Sequence, residues 1–227
     1  FFNDTATTEI YTLSLHDALP ISVEYGGRAE PADGARRLQR LARGRVPSEE
    51  GTFGIGLNMA VPTMLQYGSP ELCARFIPPA LRGDEIWCQL YSEPGAGSDP
   101  SLMNTRAEKD GEHWVLNGRK HYISGGHVAD VIMVMAVTDP EKRARGGITA
   151  FLVEKGMPGF NVTRVDTTIA TDSIKLAELT FENCQLPEDA VIGEVGAGFK
   201  VAMSSLNDGR MSVSCSCVGA AESLLER

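Results

Sequence analysis

The stretch Leu90-Tyr91-Ser92-Glu93-Pro94-Gly95-Ala96-Gly97-Ser98-Asp99 comes directly after a short apolar run and decides how the chain is interpreted. Gly95 and Gly97 carry no Cβ, so their backbone amides can approach a ligand closely. Ser98 and Asp99 are residue types that cap helices, and a helix N-terminus favours an anion. Taken alone, the stretch is either an ordinary surface turn or a ligand-binding loop.

This loop resembles the signature of the acyl-CoA dehydrogenase family, and further segments resemble that family in the same order. They are the second flavin segment at 117–126, a glycine-led strand at 147–153, a passage into the last domain at 181–187 and 192–199, and the start of a long helix at 206–210. The resemblance covers roughly residues 30–227. It implies an α+β fold: a helical segment, a central antiparallel β-barrel-like domain, and the start of a C-terminal helical bundle.

The corresponding domain boundaries are set by this order. We expect the end of an N-terminal helical domain at 23–86, a flavin-binding middle β domain at 87–195 and the start of a truncated C-terminal helical domain at 196–227. Residues 1–22 have no counterpart in the family and resemble translated sequencing adaptor, so we exclude them from the fold. The helix predicted from Arg210 onwards reaches the last residue without a capping signal, which we interpret as a break in the gene.

Composition excludes several classes of function. The 227 residues carry a formal net charge of −9, which argues against nucleic acid or an anionic membrane as a partner. No apolar run approaches the length of a membrane span, and no signal peptide is recognisable. Five scattered cysteines suit a reducing compartment, so we expect a cytoplasmic protein, or a mitochondrial matrix protein if the source is eukaryotic. No metal site is expected: Cys215 and Cys217 are interpreted as small buried helix residues.

Local patterns predict individual elements. Asp33 is a candidate cap for one helix, and a second helix is expected to begin at Ser69-Pro70 and to close at Pro78-Pro79. Asp110-Gly111 and Asn117-Gly118 are hairpin signals, which together predict a three-stranded meander over about 104–124. Further strands are predicted, at 131–137, 148–153, 161–165 and 175–181.

The family resemblance implies which residues contact FAD. Gln89, Tyr91 and Ser92 would line the flavin ring, and Ser98 would contact either the cofactor or the CoA arm. On the second segment the corresponding residues are Tyr122, Ile123 and Ser124. The family usually has Trp at position 122, and Tyr keeps a flat face that can pack against the ring. Ser124 replaces a Thr and keeps its hydroxyl.

The resemblance also implies a substrate contact from the long helix. Asn207 and Arg210 occupy the family's substrate-contacting positions, together with Ser98 on the loop. The reaction requires a carboxylate that removes the α-proton of the acyl group. A minority of the family carries it directly before the arginine, where this chain has Gly209. We therefore expect the base beyond Arg227, and expect the 227 residues alone to be inactive.

The leading interpretation is an FAD-dependent acyl-CoA dehydrogenase that desaturates an acyl-CoA thioester in fatty acid or related catabolism. The resemblance further implies an electron-transfer flavoprotein as acceptor and a homo-oligomer, a homotetramer, for the full-length protein. Two alternatives stay open: an acyl-CoA oxidase or related flavin oxidase, and a catalytically silent protein that binds flavin or CoA.

Overall fold

The computed structural model describes residues 23–25, 53–169 and 175–225, so the helix predicted at Asp33 and residues 1–22 lie outside the described residues. A π-helical turn, Gly56–Ala60, leads directly into the first α-helix. The helices are α1 Val61–Tyr67, α2 Pro70–Arg82 and α3 Gly198–Leu225. The strands are β1 Trp87–Leu90, β2 Arg106–Asp110, β3 His113–Ser124, β4 Val131–Val137, β5 Ile148–Glu154, β6 Phe160–Asp166, β7 Leu176–Pro187 and β8 Val191–Ile192.

All eight strands belong to one sheet, with helices before and after it in the chain. The order is β6-β7-β3-β2-β4-β5-β8, and β1 pairs with β4 beside this path. The predicted order of helices, β domain and helix is confirmed. The sheet itself is mixed and open rather than purely antiparallel and closed, because β1 and β2 both run parallel to β4. Strands that run in the same direction need a long connection, and the loop between β1 and β2 is long enough for β2 to start again in the direction of β1.

The sheet nevertheless curls strongly on one side. Trp114 of β3 and Phe151 of β5 meet with ring centroids 5.3 Å apart, although their strands are not neighbours. Strand β4 is buried on both faces: Met133 and Met135 face the helices, while Ile132 and Val134 face the curled part of the sheet. Two cores therefore share β4, which explains why its sequence is a continuous apolar run.

The predicted three-stranded meander is wrong, and only its first turn is confirmed. Asp110 pairs with His113 across a hairpin, as expected from Asp110-Gly111. At Asn117-Gly118, however, β3 continues, and the extra residue lies on β7, where Asn183 has φ +50°. The side chain of Asn117 accepts a hydrogen bond from the Asn183 backbone. A Cβ on Gly118 would lie 2.5 Å from Thr105 Oγ1. The glycine therefore allows two segments of the backbone to lie close together, and it does not mark a turn.

Helix α2 confirms the predicted start but not the predicted end. Ser69 caps it by accepting a hydrogen bond from the Leu72 amide at 3.2 Å. The helix continues past Pro78-Pro79 to Arg82, and the capping residue Gly83 has the left-handed φ of +76°. Two prolines cost two backbone hydrogen bonds, and burial of the apolar face that includes Phe76 and Ile77 compensates for that loss.

Helix α3 is buried at its beginning and exposed towards its end. A Cβ on Gly198 would lie 2.5 Å from the Thr149 carbonyl carbon, so glycine allows the helix to start directly against β5. Val201 and Ala202 are fully buried, whereas large apolar side chains further along are exposed. Cys217 is also exposed and Cys215 is partly so, which corrects the expectation that both are buried. Within the described residues, no helix is long and apolar enough to cross a membrane.

Candidate functional site

The loop after β1 forms a tight turn. Glu93 and Ala96 exchange backbone hydrogen bonds of 2.8 and 3.0 Å, and a Cβ on Gly95 or Gly97 would meet no atom of the other described residues within 4 Å, apart from its neighbours in the chain. Asp99 caps the next element by accepting a hydrogen bond from the Ser101 amide at 2.9 Å. That element is a 3-10 turn of three residues, Pro100–Leu102, instead of the predicted helix. Such a short turn has no helix dipole that could hold an anion.

A buried ion pair ties this loop to strand β3. Lys120 Nζ lies 2.8 Å from Glu93 Oε1, and the two side chains are 0% and 5% exposed. The Glu93 carboxylate also accepts hydrogen bonds from the backbone amides of Asn104 and Thr105. Burial raises the pKa of Glu93, but the charge of Lys120 and these hydrogen bonds outweigh it, so that the pKa lies below its ordinary value. Burial lowers the pKa of Lys120, against the opposing effect of Glu93.

The second predicted segment lies at a β-bulge. Lys120 pairs with Leu179 and Ile123 with Ala177, so β3 has one residue more than β7 between these pairs. Within the bulge, Tyr122 has φ +56°, a left-handed backbone that L-residues other than Asn and Asp rarely adopt. Its side chain is 58% exposed, which excludes the alternative of a core aromatic. A bulge of this kind re-aims a side chain, and backbone strain of this kind is typical of functional sites.

The loop and the bulge meet at one cavity of about 160 Å³. Six of the residues predicted to contact flavin line it, and they come from both segments: Gln89, Tyr91, Ser92, Tyr122, Ile123 and Ser124. Three apolar residues from the helices complete its walls: Ile55, Met59 and Leu206. None of these lining residues is a carboxylic acid.

A hydrogen-bond network fixes the floor of the site. Gln89 Oε1 accepts hydrogen bonds from Tyr91 Oη at 2.8 Å and from Ser205 Oγ at 3.1 Å, which links β1 to α3. Burial raises the pKa of Tyr91 to about 12, so its hydroxyl stays protonated and keeps donating. By contrast, the Ser92 and Ser124 hydroxyls make no hydrogen bond to any other described residue. Two hydroxyls at the cavity are thus available to a ligand.

The remaining predicted residues lie elsewhere. Ser98 is exposed and does not line the cavity. Asn207 and Arg210 are exposed on α3, where Arg210 Nη1 donates a 2.6 Å hydrogen bond to Asn207 Oδ1. Neither lines the cavity, although Leu206 directly before them does. Their roles in cofactor or substrate binding stay predictions.

Sequence reasoning missed the helical wall and the ion pair. Ile55 and Met59 are four residues apart, a spacing that places both on one helix face, but it does not distinguish packing from ligand contact. Glu93 and Lys120 both lie inside the family motifs, yet nothing in a charged residue's sequence neighbours predicts that it is buried.

Comparisons with known proteins agree with the motifs. Residues 88–184 match the family model of the acyl-CoA dehydrogenase middle domain. The short-chain specific acyl-CoA dehydrogenase of Clostridium acetobutylicum is 33% identical over 208 residues, which are 90% of this chain and 54% of that protein. The solved structure of butyryl-CoA dehydrogenase from Megasphaera elsdenii has a TM-score of 0.85 at 29% identity, covering 100% of this chain and 60% of that one.

A second solved structure, that of the prolyl acyl carrier protein oxidase AnaB, has a TM-score of 0.88 at 30% identity and covers 100% of this chain and 60% of that one. The chain spans about half the length of the curated relatives it matches. The family model, the relatives and the structures all confirm the resemblance carried by the motifs. The chain belongs to the acyl-CoA dehydrogenase family.

Proposed function

We propose that the protein is an FAD-dependent acyl-CoA dehydrogenase and that the cavity between the loop and the bulge receives the flavin ring. The observation that carries this proposal is the convergence of Tyr91-Ser92 and Tyr122–Ser124, two segments about 30 residues apart in sequence, on one cavity. The left-handed backbone at Tyr122 supports the proposal, because backbone strain of this kind is typical of functional sites.

The residues present fit a flavin in their chemistry. Its ring system has flat apolar faces and a polar edge. Ile55, Met59 and Leu206 supply apolar surface, and Tyr122 supplies an exposed aromatic ring. The Ser92 and Ser124 hydroxyls, which have no partner among the described residues, are available to a polar edge. A cavity of about 160 Å³ is small beside ligand pockets of roughly 300–1,000 Å³, so only part of the cofactor would lie in it.

When bound, FAD would accept the hydride that leaves the β-carbon of the acyl group. The chain's own residues would orient the reactants: Ser92 and Ser124 would bind the polar edge, and the apolar helical wall would exclude water. A carboxylate base is missing from the residues that line the cavity. We therefore propose that the base comes from sequence after Arg227. The acyl-CoA substrate, an electron-transfer flavoprotein as acceptor and a homo-oligomeric state belong to the same proposal.

The test uses protein expressed from the complete gene. We expect flavin absorbance after purification or reconstitution with FAD, and anaerobic loss of that absorbance when a short-chain acyl-CoA is added. A purified, folded protein that shows no flavin absorbance after reconstitution contradicts the proposal. A protein that binds FAD but is not reduced by any acyl-CoA supports the alternative of a silent flavin-binding protein.

A flavin oxidase is the second candidate, and one observation favours it. The structure of the prolyl acyl carrier protein oxidase matches this chain with a TM-score of 0.88, at least as well as the butyryl-CoA dehydrogenase structure does. Reoxidation of the reduced protein separates the two functions. Rapid reoxidation by oxygen with release of hydrogen peroxide indicates an oxidase, and slow reoxidation that an electron-transfer flavoprotein accelerates indicates a dehydrogenase.

A further inference from the structure

We propose that Glu93 and Lys120 are positioning residues, a buried ion pair that holds the backbone of Tyr91-Ser92 against the β3 bulge so that both halves of the cavity keep their relative placement. This inference rests on the proposed flavin function. It concerns two residues that do not line the cavity themselves.

The contacts of Lys120 are the first part of the argument. Its ammonium group contacts Glu93 Oε1 at 2.8 Å and donates a second hydrogen bond, of 3.3 Å, to the backbone carbonyl of Tyr91. One residue further along β3, the His121 amide donates to the Ser92 carbonyl at 3.1 Å. Consecutive residues of β3 thus hold consecutive carbonyls of the loop, and both of those loop residues line the cavity.

The contacts of Glu93 complete the clamp from the other side. Its carboxylate accepts hydrogen bonds from the backbone amides of Asn104 and Thr105. Glu93 therefore anchors the end of the loop just before β2. The carboxylate therefore fixes where the Lys120 ammonium can lie. The Lys120 ammonium group, held at this place, in turn fixes the position of the Tyr91 carbonyl, because a hydrogen bond tolerates only a narrow range of distances and angles.

Stability alone does not account for a pair of this kind. Taking two charges out of water is expensive, and well-packed apolar residues often give equal or greater stability at such a place. An apolar side chain, however, has no donor for the Tyr91 carbonyl. The position of Lys120 within the segment supports the same conclusion, since it is the last registered residue before the bulge that carries Tyr122.

The experiment separates positioning from simple structural support. In the complete gene product, Lys120→Met leaves the Glu93 carboxylate buried and unpaired, and we expect it to lower both the melting temperature of the apoprotein and the affinity for FAD. The double variant Glu93→Gln/Lys120→Met carries no charge, and its glutamine carbonyl can still accept from Asn104 and Thr105. We expect its melting temperature to recover towards that of the wild type while its Kd for FAD stays raised about ten-fold or more.

Further variants sharpen the result. Lys120→Arg keeps a charged donor, and we expect it to restore part of the FAD affinity and the wild-type flavin spectrum. Lys155→Met removes a lysine from an exposed pair with Asp130 and should change neither quantity. If the double variant binds FAD as tightly as the wild type, the pair is only structural and the inference is overturned. If the wild type itself binds no FAD, the proposed function fails first, and the inference falls with it.

Discussion

Gly209 on α3 faces Met59, one of the residues that line the cavity. A Cβ built on Gly209 would lie 3.4 Å from Met59 Cε and 3.6 Å from its Sδ, which is ordinary van der Waals contact. A longer side chain at position 209 would therefore extend along the flexible methionine at the cavity wall. We therefore expect a carboxylate introduced at position 209 to reach the Met59 side of the cavity.

The first prediction concerns the catalytic base. In a complete gene product whose own base has been changed to glutamine, Gly209→Glu should restore part of the activity, because its carboxylate would enter at the Met59 side of the cavity. General-base catalysis contributes about 10²–10⁴-fold, so even an imperfectly placed carboxylate should give a measurable increase in kcat. Gly209→Gln is the control of equal size, and equal activity in both variants would contradict the prediction.

The second prediction compares two glycines of helix α3. Gly198→Ala places a Cβ 2.5 Å from the Thr149 carbonyl carbon and 2.6 Å from the Ala150 nitrogen, both backbone atoms. We expect a loss of about 1–3 kcal/mol in the free energy of unfolding, as for other overpacked positions. Gly209→Ala meets only a flexible side chain and should instead gain about 0.5–1 kcal/mol from the lower conformational cost of alanine in a helix. Chemical denaturation measures both, and losses of equal size would refute the difference.

The third prediction concerns the free hydroxyl of Ser124. Ser124→Ala should weaken FAD binding about two- to ten-fold, since it removes a hydrogen bond whose net value is about 0.5–1.5 kcal/mol. Flavin fluorescence titration of the apoprotein provides the Kd. Ser101→Ala is the matched control, because Ser101 also has a hydroxyl but lies outside the cavity, in the turn capped by Asp99. Equal Kd values for both variants would count against a role of Ser124 in the site.

The fourth prediction is the pH dependence of the buried pair. The pKa of Glu93 is lower in the folded protein than its ordinary value of 4.5, so its stabilising effect is complete above that value. The effect is lost as the pH falls through the folded-state pKa, because protonation leaves the Lys120 ammonium buried without its partner. The difference in free energy of unfolding between wild type and Glu93→Gln should therefore be largest near about pH 7 and shrink towards about pH 3.

Chemical denaturation of the wild type and of Glu93→Gln between about pH 3 and pH 7 tests the prediction. The other carboxylates are the same in both proteins, so their effects cancel in the difference. Glu188→Gln is the control: its partner Lys109 lies at the surface, and exposed pairs contribute little. A difference for Glu93→Gln that stays constant across the range would show that the carboxylate does not titrate as described.

The fifth prediction concerns the exposed end of α3. Met211, Val213, Val218, Leu224 and Leu225 are between 51% and 88% exposed, so residues 23–227 expressed alone should self-associate. Val218→Lys/Leu224→Lys should shift the sedimentation coefficient towards that of the monomer. Val162→Lys, at an exposed apolar residue of β6, should leave the association unchanged. A monomeric wild-type chain that melts cooperatively would contradict this expectation.

The fold can be predicted from the sequence where a sequence pattern is compatible with only one kind of structure. Strand β4 is located to the residue because seven consecutive apolar residues bounded by polar ones leave little choice. Asn117-Gly118 misleads because the same dipeptide serves hairpin turns and close approaches, and only the presence of Thr105 across the gap decides between them. The end of α2 is misplaced because the burial of Phe76 and Ile77, which keeps the helix intact past two prolines, is a tertiary effect.

The motifs predict only those residues of the candidate site that lie within the motifs themselves. The motifs identify the residues on the loop and on β3, whereas Met59 and Leu206 come from helices that reach the cavity through packing. The contact between Glu93 and Lys120 cannot be predicted either, because periodicity indicates which positions face inward but not which charged residue is accommodated there.

The bulge in β3 has a consequence for the length of this segment. Trp114, Leu116 and Lys120 are buried at even-numbered positions, whereas Ile123 is buried at an odd one. The single extra residue between Lys120 and Ile123 shifts the inward-facing positions from even to odd numbers, while the same face of the strand stays inward. Deleting it would move the later residues up by one place, so that Ile123 would stay opposite Ala177 and face inward, while β3 would lose the bulge in which Tyr122 has its left-handed backbone. At this point of the chain, the extra residue therefore contributes to the candidate site and not to the packing of the core.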